Sequence, residues 1–421
     1  MVKLTRRGAL RAGAGLAGMA ALGGCGGPPP ADEIKVVGIF PLSGIAAADG
    51  KEMENGVRLA VEELNAAGGV AGKKVKLAVI DDRDSFTDHI ADAFRRAVDV
   101  EKPDVIFSGY HIASGPEFDI VAGAGVPYYN QNTQEAWTDR YKKDPKKYGL
   151  IFQCDPNDTW YGGGFALWLD KLVKAGTYSP KAKTAAILSG DDPYDKTIAD
   201  SFEKKIKELG WTLSGERQAF SAGKVSDWGP MLARVRDNPP AILFTTTFSP
   251  ADNAAMARQF AANPMPCLVY QQYGPSVPEY MNLAGDAANG ILWATVLGLP
   301  TDAKGNEFRK KYQGRFGQLP GWANAGGCYD EVMVWAEAAK KAGDARNYPR
   351  VAEETEKLTW RGVTGSISFV NHAGQQYPEQ TSDVNKGQPH LIVQIQGRQH
   401  KVVSPAPFTD GEFKLPPWFK G

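Results

Sequence analysis

Short apolar runs of strand length, each followed by an amphipathic helical stripe, constrain this chain more than any other feature. Ile34–Phe40 is the first run. Met53, Val57, Ala60, Val61 and Leu64 then recur at helical spacing, and Gly68-Gly69 ends the stripe. Val75–Ile80, Val105–Phe107 and Val126–Tyr129 read as further strands. Between them, helices are marked by Ile90, Phe94, Ala97 and Val98, and by Glu117–Ala122. The rhythm resumes with a strand at Ala185–Leu188 and the stripe Ile198, Phe202, Ile206 and Leu209. Strands at Ala241–Phe244 and Leu268–Tyr270 follow, with helices near Trp228–Val235 and Ala254–Ala261. Such alternation predicts an α/β fold of parallel sheets covered on both faces. One sheet does not absorb this many units, so two sheets in two domains are expected. The length of 421 residues agrees, because single cores stop growing at about 250–300 residues.

Charge and metal-ligand chemistry exclude several classes. Lys+Arg and Asp+Glu both number 48. With no basic run, nothing points to nucleic acid. The five histidines, His89, His111, His372, His390 and His400, form no HExxH pair, and no serine-nucleophile elbow occurs. Asp81, Asp82 and Asp84 lack the further ligands that a calcium loop needs at fixed spacing. The four cysteines make no CxxC and are too few for a disulfide scaffold. No catalytic residue, metal or cofactor is expected.

The N-terminus reads as an address. Lys3, Arg6, Arg7 and Arg11 precede or open a Gly/Ala/Leu run that ends in Leu22-Gly23-Gly24-Cys25. That run is too short to span a bilayer core of about 30 Å. It fits a secretory signal peptide over residues 1–24. Thr5-Arg6-Arg7 with Leu10 resembles the twin-arginine export signal. Leu-Gly-Gly-Cys resembles a bacterial lipobox, which implies lipidation of Cys25 and an anchor of several acyl chains. The expected location is the periplasm or the outer face of a bacterial membrane. Residues 25–33 read as a linker containing Pro28-Pro29-Pro30.

In open α/β sheets, ligands bind outside the carboxyl ends of the strands. Those ends are rich in hydroxyls, amides and tyrosines. In the first half they include Asp49-Gly50, Tyr110-His111, Ser114-Gly115 and Asn132-Thr133. In the second half they include Asp192-Pro193-Tyr194, Phe248 and Gln271-Gln272-Tyr273. Ser, Thr, Asn and Asp are also favoured as caps and turns. Their recurrence at so many strand ends is what points to a polar cleft. Ser114, at a helix start, is a candidate cradle for a carboxylate or other anion.

Val37-Gly-Ile-Phe-Pro-Leu-Ser-Gly44 and Gly56-(x)3-Ala60-Val-Glu-Glu-Leu-Asn65-Ala-Ala-Gly-Gly-Val70 resemble the start of type I periplasmic solute-binding proteins. These are the leucine/isoleucine/valine- and amide-binding receptors of ABC importers. The similarity continues through Ile80-Asp-Asp, the Asp192-Pro-Tyr194-Asp loop, Leu283-Ala-Gly285 with Gly290, and Tyr329-Asp330. The resemblance implies two doubly wound lobes, joined by three crossovers and closing like a clamshell. By this resemblance the crossovers fall near Cys154–Asp158, Ala294–Gly298 and Gly365–Val370. One lobe would hold 34–154 with 298–366 and the other 155–297 with 367–403, leaving 404–421 as a Pro-rich tail. Function follows as an expectation: capture of a small polar solute, an amino acid or small amide, and delivery to a membrane permease. The alternatives are a ligand-sensing receptor of the same fold and a hydrolytic enzyme.

Carried over position by position, the family pattern places a ligand carboxylate at Ser114-Gly115 and Thr133, and aromatics at Tyr194 and Phe248. The acid that takes a ligand ammonium falls near Gln271–Tyr273, where this chain has none. Asp49 stands where the family has an aromatic, and becomes the candidate replacement. The candidate ligand-binding set is Asp49, Tyr110, His111, Ser114, Gly115, Asn132, Thr133, Tyr194, Phe248, Gln271, Gln272 and Asn324.

Overall fold

A computed structural model describes residues 33–85, 87–369 and 383–420. The leader, Cys25, nearly all of the linker, Val370 and His372 lie outside the described residues.

The first sheet comprises β1 (Glu33–Phe40), β2 (Lys74–Asp81), β3 (Val105–Ser108), β4 (Tyr128–Asn130) and β5 (Ile151–Gln153). Its order is β2-β1-β3-β4-β5 and every pair is parallel. The second sheet comprises β6 (Thr184–Gly190), β7 (Thr212–Leu213), β8 (Gln218–Phe220), β9 (Ile242–Thr246), β10 (Leu268–Gln271) and β11 (Leu292–Thr295), with β14 and β15 added late. Between those groups in the chain, β12 (Thr359–Arg361) and β13 (Ser366–Ser368) form a small antiparallel ribbon. The strands β14 (Leu391–Gln396) and β15 (Gln399–Ser404) complete the set.

The second sheet is not wholly parallel. β14 runs antiparallel to β11, and β15 antiparallel to β14. Gly397 and Arg398 both have positive φ, 57° and 63°. That geometry suits a two-residue hairpin turn matched to strand twist. Sequence reading did not find this hairpin, β5 or β11. Gly-Arg is a weak turn signal, and β5 and β11 are very short.

Helices α1 (Ala47–Ala66), α2 (Thr87–Arg96), α3 (Pro116–Ala124) and α4 (Glu135–Lys143) follow the first four strands. α5 (Thr159–Lys174), α6 (Pro193–Glu208), α7 (Gly229–Asp237), α8 (Pro250–Ala262) and α9 (Pro278–Ala284) belong with the second sheet. α10 (Ala303–Phe316), α11 (Asn324–Ala342) and α12 (Tyr348–Glu356) return to the first. Each sheet has a core on both faces. Phe107, Val332 and Trp335 pack on one face of the first sheet, and Phe94, Ile106 and Tyr128 on the other. In the second, Phe165, Phe202, Phe244 and Tyr270 fill one face, and Trp228, Phe260 and Trp293 the other. Phe244 stacks on Phe202 at 3.8 Å and on Tyr270 at 4.4 Å between ring centroids. Full burial of one such ring contributes about 1.5–3 kcal/mol.

The chain passes between these two lobes three times: after β5, after β11, and between β13 and β14. Two glycines allow close helix packing. A Cβ at Gly56 would stand 2.2 Å from the Ala325 carbonyl oxygen, so its absence lets α1 settle on α11. A Cβ at Gly162 would stand 2.2 Å from the Ile198 carbonyl oxygen, where α5 meets α6. Past β15 the chain stays on the second lobe. The Trp418 indole N–H donates to the Cys267 carbonyl at 2.8 Å, and Phe413 and Phe419 lie against Trp168 and Tyr178. Cys154, Cys267 and Cys328 are buried and free.

Candidate functional site

The carboxyl ends of the two sheets face one another across a cavity. From the first lobe it is lined by Tyr110, His111 and Ile112 after β3, by Gln131, Asn132, Thr133 and Gln134 after β4, and by Asn324 at the start of α11. Tyr161, Asp192, Tyr194, Phe248, Tyr273 and Leu297 line it from the other side. It encloses about 510 Å³ of atom-free space, part of it open to solvent. The lining mixes aromatic faces, amides and hydroxyls with the Asp192 carboxyl and the His111 imidazole, and no Lys or Arg is among its described residues. That composition suits a small solute with an apolar body and a few polar atoms.

Seven of the twelve candidates line this cavity: Tyr110, His111, Asn132, Thr133, Tyr194, Phe248 and Asn324. The other five sit behind its walls or beside it. The Ser114 hydroxyl donates to Glu117 and accepts from the Asn132 amide at 2.7 Å and the Trp137 indole at 3.0 Å. The Gly115 N–H donates to the same Glu117 carboxylate at 2.8 Å. Gly115 is the N-cap of α3 and carries no side-chain cap, so both donors converge on the Glu117 carboxylate in the first turn. The proposed anion cradle therefore holds an internal carboxylate, and Glu117 is fully buried.

Gln271 turns into the second core. Its amide donates to the Asn253 carbonyl at 2.8 Å and its oxygen accepts from Tyr280 at 2.7 Å. Gln272 stands behind Tyr194: its amide donates to the Tyr194 phenol at 2.9 Å, while its oxygen accepts from Tyr270. It is thus placed to orient a cavity residue.

Asp49 lies in the first turn of α1 and is 4% exposed. Its oxygens accept from the phenols of Tyr110 and Tyr273, the latter at 2.9 Å, and from the Asn324 amide at 3.1 Å. It borders a smaller pocket with Ile45, Phe248, Val277 and Glu279. Burial raises its pKa to about 6 against the lowering by the two phenols, with the charge of Glu279 adding to the rise. One turn along, Glu52 is raised to about 7 by burial, countered by the Gly321 N–H at 2.7 Å and reinforced by Asp49.

His111 is fully buried, with Nδ1 2.7 Å from Asp82 and its ring edge-on to Phe94 at 5.4 Å. Burial lowers its pKa, but the Asp82 hydrogen bond and charge, with Glu117 adding, outweigh burial and raise it. On the second lobe, Asp192 caps α6 by accepting the Asp195 N–H at 3.0 Å, and its other oxygen has no partner among the described residues.

Sequence reading missed Ile112, Gln131, Gln134, Tyr161, Asp192, Tyr273 and Leu297 as lining residues. Gln131, Asp192 and Tyr273 belong to strand ends and were within reach. Tyr161 and Leu297 follow two of the crossovers, which themselves wall the cleft. Among the described residues, no group of three or more His, Cys, Asp or Glu is placed to hold a metal. No helix among them is long and apolar enough to cross a membrane.

The family model for periplasmic binding proteins matches residues 33–385, spanning the first sheet, the second up to β11, and the cavity lining. The chain belongs to this family. The leucine-, isoleucine-, valine-, threonine- and alanine-binding protein of Pseudomonas aeruginosa is 25% identical over 343 residues, covering 80% of this chain and 86% of its own. A Silicibacter pomeroyi crystal structure, provisionally described as a branched-chain amino acid ABC transporter, superposes with a TM-score of 0.84 at 34% identity, covering 92% of this chain and all of the other. The Streptococcus pneumoniae branched-chain amino acid binding protein LivJ, solved with isoleucine, gives a TM-score of 0.73 at 22% identity, covering 89% of this chain and all of LivJ. That last likeness concerns the fold alone. These relatives are named for binding or transport, not for catalysis, and this chain is a solute-binding protein of the same kind. The α/β clamshell with three crossovers expected from the sequence is the fold observed.

Proposed function

We propose that this protein captures a small solute of the amino-acid or amide class outside the cytoplasm and delivers it to the permease of an ABC importer. Lipidation of Cys25 would tether it to the membrane surface. The observation that carries this reading is the cavity itself. It lies between two lobes, at the strand ends of both sheets, and takes polar and aromatic groups from each. A ligand there touches both lobes only when they are closed, so binding favours closure through contacts that the open form lacks. The closed surface is what a permease would read. The names of the Pseudomonas and Silicibacter relatives support branched-chain amino acids as first candidates.

A thermal-shift screen over amino acids, small amides, urea, polyamines and aromatic acids tests the reading. A ligand at about 100 times its dissociation constant adds roughly 2.7 kcal/mol of stability. A clear upward shift by one member of the amino-acid or amide group is expected. A protein stabilised only by polyamines or aromatic acids would refute the class.

A further inference from the structure

We propose that Asp49 is a latch: its carboxylate gathers Tyr110 and Asn324 of its own lobe with Tyr273 from across the cleft and holds the two lobes closed in the absence of ligand. Asp49 and Tyr110 belong to the first lobe, by α1 and the loop after β3. Asn324 opens α11, which packs on α1. Tyr273 alone comes from the second lobe, directly after β10. Its phenol donates to Asp49 at 2.9 Å and accepts from the Asn324 amide at 2.8 Å, and its ring meets Tyr110 edge-on at 5.8 Å. One side chain of the second lobe thus plugs into three of the first, with no ligand needed to complete the contact.

The backbone at Tyr273 supports a built device. Its φ of 61° with ψ of −56° is a conformation that a residue with a bulky side chain rarely adopts. Such outliers persist where surrounding contacts over-determine them, and they gather at clamps and switches. The contacts here are the Asp49 cluster. A charged acceptor makes each of its hydrogen bonds stronger than a neutral one. Tyr110, Tyr273 and Asn324 also line the main cavity. The latch therefore sets the shape of the wall that any solute meets. Loss of the latch lowers the competent fraction and weakens every ligand by the same factor. An ammonium contact at Asp49 would instead weaken only ligands that carry a cation.

The test needs no ligand. Spin labels at Lys76→Cys and Lys204→Cys, one exposed position on each lobe, report the interlobe distance by pulsed electron paramagnetic resonance in the ligand-stripped protein. The otherwise native chain should show a closed population. Tyr273→Phe, which removes one hydroxyl, should lower the closed-to-open ratio by about tenfold or more. Asn324→Ala should shift it the same way and serves if Tyr273→Phe fails to fold. Tyr178→Phe removes a phenol that donates to the Ala241 carbonyl within the second lobe, and should leave the ratio unchanged. A ratio unmoved by Tyr273→Phe or Asn324→Ala in folded protein overturns the latch, as does a native chain that is wholly open without ligand. Neither result bears on which solute is carried, so the transport reading stands or falls separately.

Discussion

The phenol of Tyr273 on the second lobe donates to the carboxylate of Asp49 on the first, at 2.9 Å. Asp49 was expected to receive a ligand ammonium. Its oxygens are instead engaged by three protein donors, and it stands beside the main cavity rather than in its lining. The residues it holds line that cavity.

Buried acids beside this contact make stability depend on pH. Glu52 has a folded pKa of about 7 against an ordinary 4.5. Between those values the folded state binds more protons than the unfolded one, so stability falls as pH rises through the window. The loss from Glu52 is about 3 kcal/mol at most. Glu52→Gln keeps an oxygen for the Gly321 N–H and removes the titration. Urea unfolding from pH 5 to pH 8 should show a shallower decline for Glu52→Gln than for the native chain. Parallel curves would show that Glu52 titrates normally.

Ser114 and Tyr194 should separate stability from binding. The Ser114 hydroxyl, just before α3, donates to the buried Glu117 carboxylate, so Ser114→Ala should cost about 1–3 kcal/mol of stability and change solute affinity little. Tyr194 lines the cavity and is held by Gln272. Tyr194→Ala should weaken solute binding about tenfold or more while unfolding close to normally. Calorimetric titration alongside thermal unfolding distinguishes the two. A large affinity loss in Ser114→Ala would mean that the anion cradle does open to ligand.

Two glycines of similar helical setting should respond in opposite directions. Gly56→Ala puts a methyl 2.2 Å from the Ala325 carbonyl and forces α1 from α11. A cost of about 1–3 kcal/mol is expected. A Cβ at Gly163, within α5, meets nothing within 4 Å. Gly163→Ala should therefore stabilise by roughly 0.5–1 kcal/mol through helix propensity. Denaturant midpoints for the pair check the packing account, and a neutral Gly56→Ala would refute it.

Cys25 tests the anchor. Export with Cys25→Ser should continue, and the protein should move from the membrane fraction to the soluble one. Retention in the membrane as firm as that of the native chain would rule out lipidation at Cys25.

Much of this fold was legible in the residue order. Ile34–Phe40 and Ala241–Phe244 announce strands because their apolar runs are buried on both faces, Val75–Ile80 announces an edge strand despite its exposed Lys76, and Met53, Val57, Ala60 and Leu64 announce a helix because one stripe must meet a core. Tyr194 and Thr133 were found because strand ends are where parallel sheets expose ligand-binding loops. The hairpin of β14 and β15 was not, since β14 joins the sheet by pairing with β11, a strand nearly a hundred residues earlier in the chain, and no local pattern carries that pairing.

Residue types alone determined that the chain is α/β, that it needs two sheets, and that hydroxyl, amide and aromatic groups collect at the sheet ends. Which of those groups line the cavity was decided only by tertiary structure. Ser114, Asn132 and Glu117 satisfy one another, as do Gln271 and Tyr280, and Asp49 and Tyr273 meet across a gap of more than 200 residues. A buried polar atom takes whichever partner the fold brings near, because leaving it unpaired costs about 1–3 kcal/mol. Sequence reading can place such a residue at a strand end. It cannot say whether the residue's hydrogen bonds are already spent inside the protein or kept for a ligand.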